Sequence, residues 1–285
     1  MASTKTTFDI RRYWEERLQA HPDITGVGYL GYKSQFVELY YRSRMRQVES
    51  ALRRYALTEL AGCSVLDVGS GTGIWLNFWH RHGVNHITAL DFAEPSVDIL
   101  KTQFPDDLIV QADVRVTPLP LPDTMRFDII SAFEVFLHVL DRDAFHCAIA
   151  NLANHCNTGG WLIISDPIVQ GDGYLPKPPQ ATYSTVRTLA EYRDVLAMNG
   201  FVIEAVQPAT VLLCGPQEAP NRLTFRTFSM IWRVTSRLGH SSKLTRLVGP
   251  IVMWADRLAC HLFIYNNAPG SKIIFARKEE RKSNE

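Results

Sequence analysis

The chain has 285 residues, 46% of them hydrophobic and 21% charged, with a formal net charge of +1. That is long enough to bury a sizeable core and ordinary in composition for a globular protein, and near-neutrality excludes a surface committed as a whole to nucleic acid. The balance is uneven, however: from Asn221 onward twelve Lys and Arg face four Asp and Glu, so the last 65 residues carry +8 and the remainder −7.

The N-terminus, MASTKTTFDIRRYW, is charged where a secretion signal needs an apolar segment. DIRRYWEERLQ and SQFVELYYRSRMRQVESALRRYAL then place apolar residues three and four apart, which predicts two helices. HPDITGVGYLGYK between them is rich in Pro and Gly and reads as a loop. From Ala61 the rhythm becomes strand, turn, helix. CSVLDVG predicts a strand and GIWLNFWHRHG a helix; HITALDF and EPSVDILKTQF repeat the pair, and LIVQADV is a third strand. RFDIISAFEV is a fourth strand leading to a helix over about 141–155, and the hairpin NTGGWLIISD leads into a fifth. After the proline-rich loop DPIVQGDGYLPKPPQATYS come the helix VRTLAEYRDVLAMNG and a sixth strand region, FVIEAVQPATVLL. About 55 mostly helical residues separate this from the last strand signal, SKIIFARK. Strands alternating with helices predict a doubly wound α/β fold whose sheet is seven-stranded and mostly parallel. The expected organisation is a helical cap over 1–60, a core over 61–214, a helical insertion over 215–270, and the last strand with a charged tail over 271–285.

Cys63, Cys147, Cys156, Cys214 and Cys260 are scattered, odd in number and without a C-x-x-C pair. They suit reduced thiols rather than a disulfide framework or a zinc site. The late apolar stretch LTRLVGPIVMWADRLACHLFIY is interrupted by Asp256, Arg257 and His261, short of the roughly 18 clean residues of a membrane span. A soluble, cytoplasmic protein is expected.

The stretch VLDVGSGTGIW joins a strand to a helix through three alternating glycines, Gly69, Gly71 and Gly73. Such a loop offers a ligand backbone N–H groups and the positive end of a helix. It lacks the Lys of a phosphate-binding P-loop, and its third glycine comes one residue too early for a dinucleotide fingerprint. Asp67 precedes the loop, Asp91 ends the second strand 18 residues past Gly73, and Asp113 follows the third.

In these features the sequence resembles the class I S-adenosylmethionine-dependent methyltransferases, whose first motif is an acidic residue followed by G-x-G-x-G. The resemblance covers roughly 60–201 and the last strand. It implies S-adenosyl-L-methionine as cofactor, with Asp67, Gly69, Ser70, Gly71 and Gly73 around its methionine end. It further implies Asp91 on the ribose hydroxyls, Phe92 beside the adenine, Asp113 on the adenine amino group, Val114 as a backbone contact, and Glu134 as a further site residue. Plainer roles stand beside these: Asp67 and Asp91 as caps, Glu134 as a solvated helix start. No [DN]-P-P-[YF] follows the fourth strand and no cysteine follows a proline, which speaks against amide-nitrogen and cytosine-carbon acceptors. Glu134 and Asp166 sit where catechol-type relatives hold a metal, but Asp166 is followed by Pro167 instead of Asn, and no metal is expected.

Methyl transfer from a sulfonium is an in-line displacement, so positioning and desolvation can supply much of the catalysis, and a base helps only an acceptor that must lose a proton. His138 is the candidate base, with a packing role as the alternative. Trp14, Tyr40, Tyr41 and Arg42 in the cap are expected to cover the cofactor. The insertion interleaves aromatics with arginines in FRTFSMIWRVTSRLGH and VMWADRLACHLFIY. It reads as an amphipathic pair joining the core, as a lid over an apolar or anionic substrate, or as a weak membrane-surface contact. The expected activity is methyl transfer to a small or medium-sized organic acceptor, at a hydroxyl oxygen. An RNA or protein acceptor, supported by the basic tail, and a non-catalytic cofactor-binding scaffold are the alternatives; the near-neutral whole speaks against nucleic acid.

Overall fold

In the computed structural model, Asp9 accepts a hydrogen bond from the Arg12 backbone N–H at 3.1 Å and caps the first helix, α1 (Ile10–Ala20). The model describes residues 8–175, 183–263 and 268–279. The ends of the cap and charged tail, part of the proline-rich loop and the close of the insertion's apolar stretch lie outside the described residues. A one-turn helix, α2 (Ile24–Val27), falls inside the stretch expected to be loop and is capped by Asp23. Four residues are too few for helical spacing to register in a sequence. α3 (Ser34–Arg54) buries Phe36, Tyr40, Arg44 and Val48 along one stripe.

The core then runs β1 (Ser64–Val68), α4 (Ile74–Arg81), β2 (His86–Asp91), α5 (Glu94–Gln103), β3 (Leu108–Gln111), β4 (Phe127–Phe133), α6 (Arg142–Asn154) and β5 (Cys156–Asp166). It continues with α7 (Leu189–Met198), β6 (Phe201–Pro208), α8 (Arg222–Thr235), α9 (Ser242–Leu262) and β7 (Lys272–Lys278). The seven strands form one sheet in the order β3-β2-β1-β4-β5-β7-β6. All are parallel except β7, which runs antiparallel to both β5 and β6. The doubly wound, mostly parallel α/β sheet expected from the sequence is present.

Local differences have simple causes. NTGG is part of β5 itself, with a register irregularity opposite β4 instead of a separate hairpin. A short 3-10 turn, Phe136–His138, comes between β4 and α6. Ile168–Val169 pairs with Arg187–Thr188 in a two-residue ladder too short to show alternation in sequence.

Alternate residues of each strand feed opposite layers. Val65, Ile87, Ile129, Ile163 and Phe275 pack with α3 and α4, whereas Leu66, Leu90, Ile130, Leu162 and Ile274 pack with α6 and α7. α9 lies against α3 and approaches closely at Gly249, where a β-carbon would come 3.2 Å from Leu39. Farther along, the fully buried Asp256 carboxylate accepts from Ser43 Oγ of α3, Thr210 Oγ1 and the backbone N–H groups of Val211 and Leu212. One carboxylate thereby ties the insertion to α3 and to the chain leaving β6. No helix among the described residues is long and apolar enough to cross a membrane.

Asp256→Ala strands two buried N–H donors and two hydroxyls, and each stranded group costs about 1–3 kcal/mol. Urea unfolding should show a loss of at least ~3 kcal/mol for this variant; a loss below ~1 kcal/mol would mean that the carboxylate does not anchor α9.

Candidate functional site

β1 and β4 are neighbours in the sheet, yet the chain leaves them toward opposite edges, and a crevice opens beyond their carboxyl ends. A cavity of about 470 Å³ fills that crevice. Its floor is the glycine loop. Gly69, Gly71 and Gly73 have φ of 66°, 55° and 78°, a region that side chains with a β-carbon rarely occupy. A β-carbon at Gly71 would lie 2.7 Å from Val27, and one at Gly73 2.3 Å from Phe104.

Asp91 secures this loop. Its Oδ2 accepts from the Gly71 N–H at 2.9 Å and its Oδ1 from the Ala93 N–H at 2.9 Å. Burial raises its pKa, against the pull of those bonds. Asp91 lines the cavity with Gly69, Ser70, Gly71, Phe92, Glu134 and His138. The other expected site residues lie behind or beside it. Asp67 is buried under the loop, where Oδ1 accepts from Ser131 Oγ at 2.6 Å; Ser131 Oγ in turn accepts from Trp79 Nε1 at 3.1 Å. That chain of bonds clamps β1 to β4. Gly73 packs on Phe104. Asp113 forms a two-pronged pair with Arg115 at 2.6 and 2.8 Å. Burial works against that carboxylate, but Arg115 outweighs burial and holds its pKa below the usual range. Val114 is buried, and its carbonyl accepts from Asn151 at 2.8 Å.

Glu134 has a φ of 60°, a conformation that costs a residue with a β-carbon on the order of 1–3 kcal/mol unless its surroundings hold it. Tyr40 donates to Oε1 at 2.7 Å, and Nη1 of the buried Arg44 lies 2.8 Å from Oε2. Among the described residues no guanidinium nitrogen of Arg44 makes a hydrogen bond of regular geometry, so the contact is an ion pair, supplemented by the Tyr40 ring 4.5 Å from the guanidinium carbon. Burial opposes the Arg44 charge, but Glu134 overrides it and holds the pKa above the ordinary value. Of the cap residues expected over the cofactor, Trp14, Tyr40 and Tyr41 line the cavity and Arg42 does not. That residue is exposed and pairs with Glu38 at 3.7 Å. Arg44 faces inward because it stands four residues after Tyr40, on the same helical face, and that spacing is legible in the sequence.

The opposite wall and roof are aromatic. Tyr13, Trp14 and Arg17 of α1, Tyr29, Tyr40 and Tyr41 all line the cavity. Arg11 donates to the Phe92 carbonyl at 2.9 Å and docks α1 over the end of β2. Tyr13 stacks on Tyr183 at 5.3 Å, and Trp14 sets its edge against the His138 ring at 5.0 Å. His138 Nδ1 is 2.8 Å from the Tyr183 carbonyl, which can only accept. Nδ1 therefore carries the proton, and Nε2 keeps its lone pair. Burial lowers the His138 pKa and favours this neutral form. Trp75 also lines the cavity, stacked on Phe133 at 3.7 Å, and its buried Nε1 has no hydrogen-bond partner among the described residues. Tyr13, Arg17, Tyr29 and Trp75 went unnoticed in the sequence because nothing local marks a side chain that meets the cavity only in three dimensions. Among the described residues no group of three His, Cys, Asp or Glu is placed to hold a metal.

Residues 40–205 match a family model described as a methyltransferase domain. The ribosomal protein L11 methyltransferase of Staphylococcus aureus is 32% identical over 106 residues, 36% of this chain and 31% of that protein. The match thus spans about a third of the length of these curated relatives. Among solved structures, magnesium protoporphyrin IX methyltransferase from Synechocystis PCC 6803 with bound SAM aligns with a TM-score of 0.54 at 15% identity, over 97% of this chain and 100% of that one. A [4+2]-cyclase, SpnF, aligns with a TM-score of 0.51 at 20% identity, over 82% and 80% of the two chains. At such identities these likenesses establish the fold alone.

Asp67 and Asp166 yield a prediction about pH. Burial pushes each carboxyl up from 3.8 to about 7; Asp166 accepts from Tyr192 at 2.8 Å. A carboxyl raised on folding stabilises fully below its unfolded pKa of 3.8, and the contribution is lost as pH rises through about 7. Asp166→Asn, always neutral, should lose less thermal midpoint than the parent between about pH 4 and 8. Parallel curves for the two proteins would refute the assignment.

Proposed function

Because the chain belongs to the methyltransferase-domain family, whose model takes in more than half of its length, we propose that it transfers the methyl group of S-adenosylmethionine to a hydroxyl of a small or medium-sized organic acceptor. The observation that carries this reading is a roofed cavity in which Gly69–Gly71 and Asp91 meet an aromatic cup with a neutral His138.

The residues present fit the cofactor. Asp91 spends one bond per oxygen on backbone, and each oxygen retains accepting capacity for ribose hydroxyls. The unpartnered Trp75 Nε1 supplies a buried donor at the wall, a group that is costly to leave unsatisfied without a ligand. The start of α4, whose first N–H groups have no partner within the helix, suits the carboxylate end of the methionine portion. When bound, S-adenosylmethionine supplies an electrophilic methyl group on a sulfonium.

The chain's own residues position and dry the acceptor. Tyr13, Trp14 and Tyr183 close the chamber and exclude water, which strengthens every electrostatic contact within it. His138 Nε2 takes the acceptor's hydroxyl proton as the oxygen becomes nucleophilic, while Nδ1–H stays on the Tyr183 carbonyl and holds the ring. Glu134, fixed by Arg44 and Tyr40, presents a carboxylate to the same space. The roof also bears on acceptor size. The Staphylococcus aureus relative is named for a ribosomal protein, but a chamber covered by α1 and residues 183–186 suits a small molecule better than a polypeptide surface.

Calorimetric titration with S-adenosylmethionine should show at least ~10-fold weaker binding for Asp91→Ala than for the parent, with Asp91→Asn in between; equal affinity in all three would sink the pocket assignment. His138→Ala should retain cofactor affinity and lose on the order of 10²-fold in turnover. The parent's turnover should fall on the acid side, and only below the ordinary imidazole range, because burial lowers the His138 pKa and the neutral ring is the active one. Near-normal turnover in His138→Ala, or a rate that is flat at low pH, would leave His138 as a packing residue.

A further inference from the structure

α9 buries one side and leaves the opposite one, which is apolar, exposed. Thr245, Gly249, Val252, Asp256 and Cys260 turn toward α3 and the core. Two residues beyond each of them, about 200° around a helix, stand Leu247, Ile251, Trp254, Leu258 and Leu262. These five are 76%, 66%, 66%, 48% and 64% exposed. Isolated exposed apolar residues are ordinary, but a continuous stripe is not. No contact within the described chain accounts for it. α8, joined to α9 through residues 236–240, exposes Leu223, Met230 and Val234 as well.

The charge of the same two helices is one-sided. Seven Lys and Arg lie between Arg222 and Arg257, every one exposed, and none forms an ion pair among the described residues. The one carboxylate in that span, Asp256, is completely buried. The outer surface of the pair therefore presents apolar side chains and cations, with no anion.

We propose that α8 and α9 dock the protein on the surface of a lipid bilayer carrying anionic headgroups, with Leu247, Ile251, Trp254, Leu258 and Leu262 set into the interface and the arginines on the headgroups. The chemistry selects this occupant. A second copy meeting the same patch about a two-fold axis would bring seven cations against seven. A nucleic acid would satisfy the cations and leave Trp254 and its aliphatic neighbours in water. An anionic bilayer interface takes both, because apolar burial and headgroup attraction add on one helix face. The helix lies on the bilayer and does not cross it. This inference does not depend on which acceptor is methylated.

The test uses the full chain and vesicles of phosphatidylcholine, alone or mixed in equal parts with phosphatidylglycerol, read by co-sedimentation and by the tryptophan emission wavelength. The parent should bind the mixed vesicles with a blue shift, ignore phosphatidylcholine alone, and weaken as salt is raised. The triple variant Leu247→Glu, Ile251→Glu, Leu258→Glu and the double variant Arg246→Glu, Arg257→Glu should each bind at least ~10-fold more weakly. All five positions are exposed, so their thermal midpoints should stay near the parent's; if the triple variant unfolds, Trp254→Ala replaces it and should lose most of the blue shift. Failure of the parent to bind, equal binding to both vesicle types, or undiminished binding by the folded variants overturns the proposal. So does a parent dimer in light scattering that the stripe substitution disperses, which would assign the face to a second copy.

Discussion

No β-carbon fits at Gly69, Gly71 or Gly73, and the rest of the site is built around that exclusion. The spaces their side chains would need are taken by Val135 after β4, by Val27 of α2 and by Phe104 at the end of α5. The loop is thus gripped by the sheet, by the N-terminal cap and by a core helix at once. Asp91 completes the grip from β2 through the Gly71 N–H. Glycine is costly to order because its unfolded chain has the most freedom to lose. Here that cost is offset by packing from three sides, and the cavity gains a floor of backbone with no side chains in the way.

Buried charge marks each place where an addition is fastened to the sheet. Arg44 joins the cap to Glu134 beyond β4. Asp256 joins α9 to α3 and to the chain leaving β6. Lys272 at the start of β7 pairs with Glu218 at 2.9 Å, and Glu218 in turn accepts from the Gln170 N–H beyond β5. Burial lowers the Lys272 pKa, against the pull of Glu218. Such groups contribute less net stability than apolar packing would, because taking a charge out of water is expensive. They do penalise misplacement heavily, since any other docking of the cap or insertion leaves the charge unpaired. The aromatic roof follows from this. Tyr40 is positioned by the Glu134 carboxylate that Arg44 also meets, and the α1 residues above it are tied down by Arg11 on Phe92 and Arg17 on Gly28.

The strands of the core, their helices and the glycine loop were legible because parallel strands buried on both faces leave short apolar runs, and turns between them leave glycines. The methyltransferase family could be read from the same stretch, and so could the carboxylate at the end of β2. Other readings depended on side-chain direction. Asp67 and Asp113 have the residue type and place of ligands, but Asp67 turns under the loop to Ser131 and Asp113 turns aside to Arg115. Arg42 and Arg44 differ by two positions, which on a helix is the difference between solvent and core. α9 defeats pattern reading altogether: with an apolar stripe on its exposed side, periodicity identifies the helix without saying which face is turned in.

By itself, then, the sequence determined the alternation of strand and helix, the mostly parallel sheet, the glycine loop and the acidic residue at the end of the second strand. These are local matters, set by backbone conformation and by burial period. Only the tertiary structure decided which rings roof the cavity, which of two neighbouring arginines meets Glu134, that His138 Nδ1 rests on the Tyr183 carbonyl, and that one apolar face of α9 has no partner among the described residues. Those facts join residues far apart in the chain, such as Tyr40 and Glu134, 94 positions apart, or, farther still, Tyr13 and Tyr183. They depend on how whole elements dock, which packing and buried charge settle and no short stretch of sequence encodes.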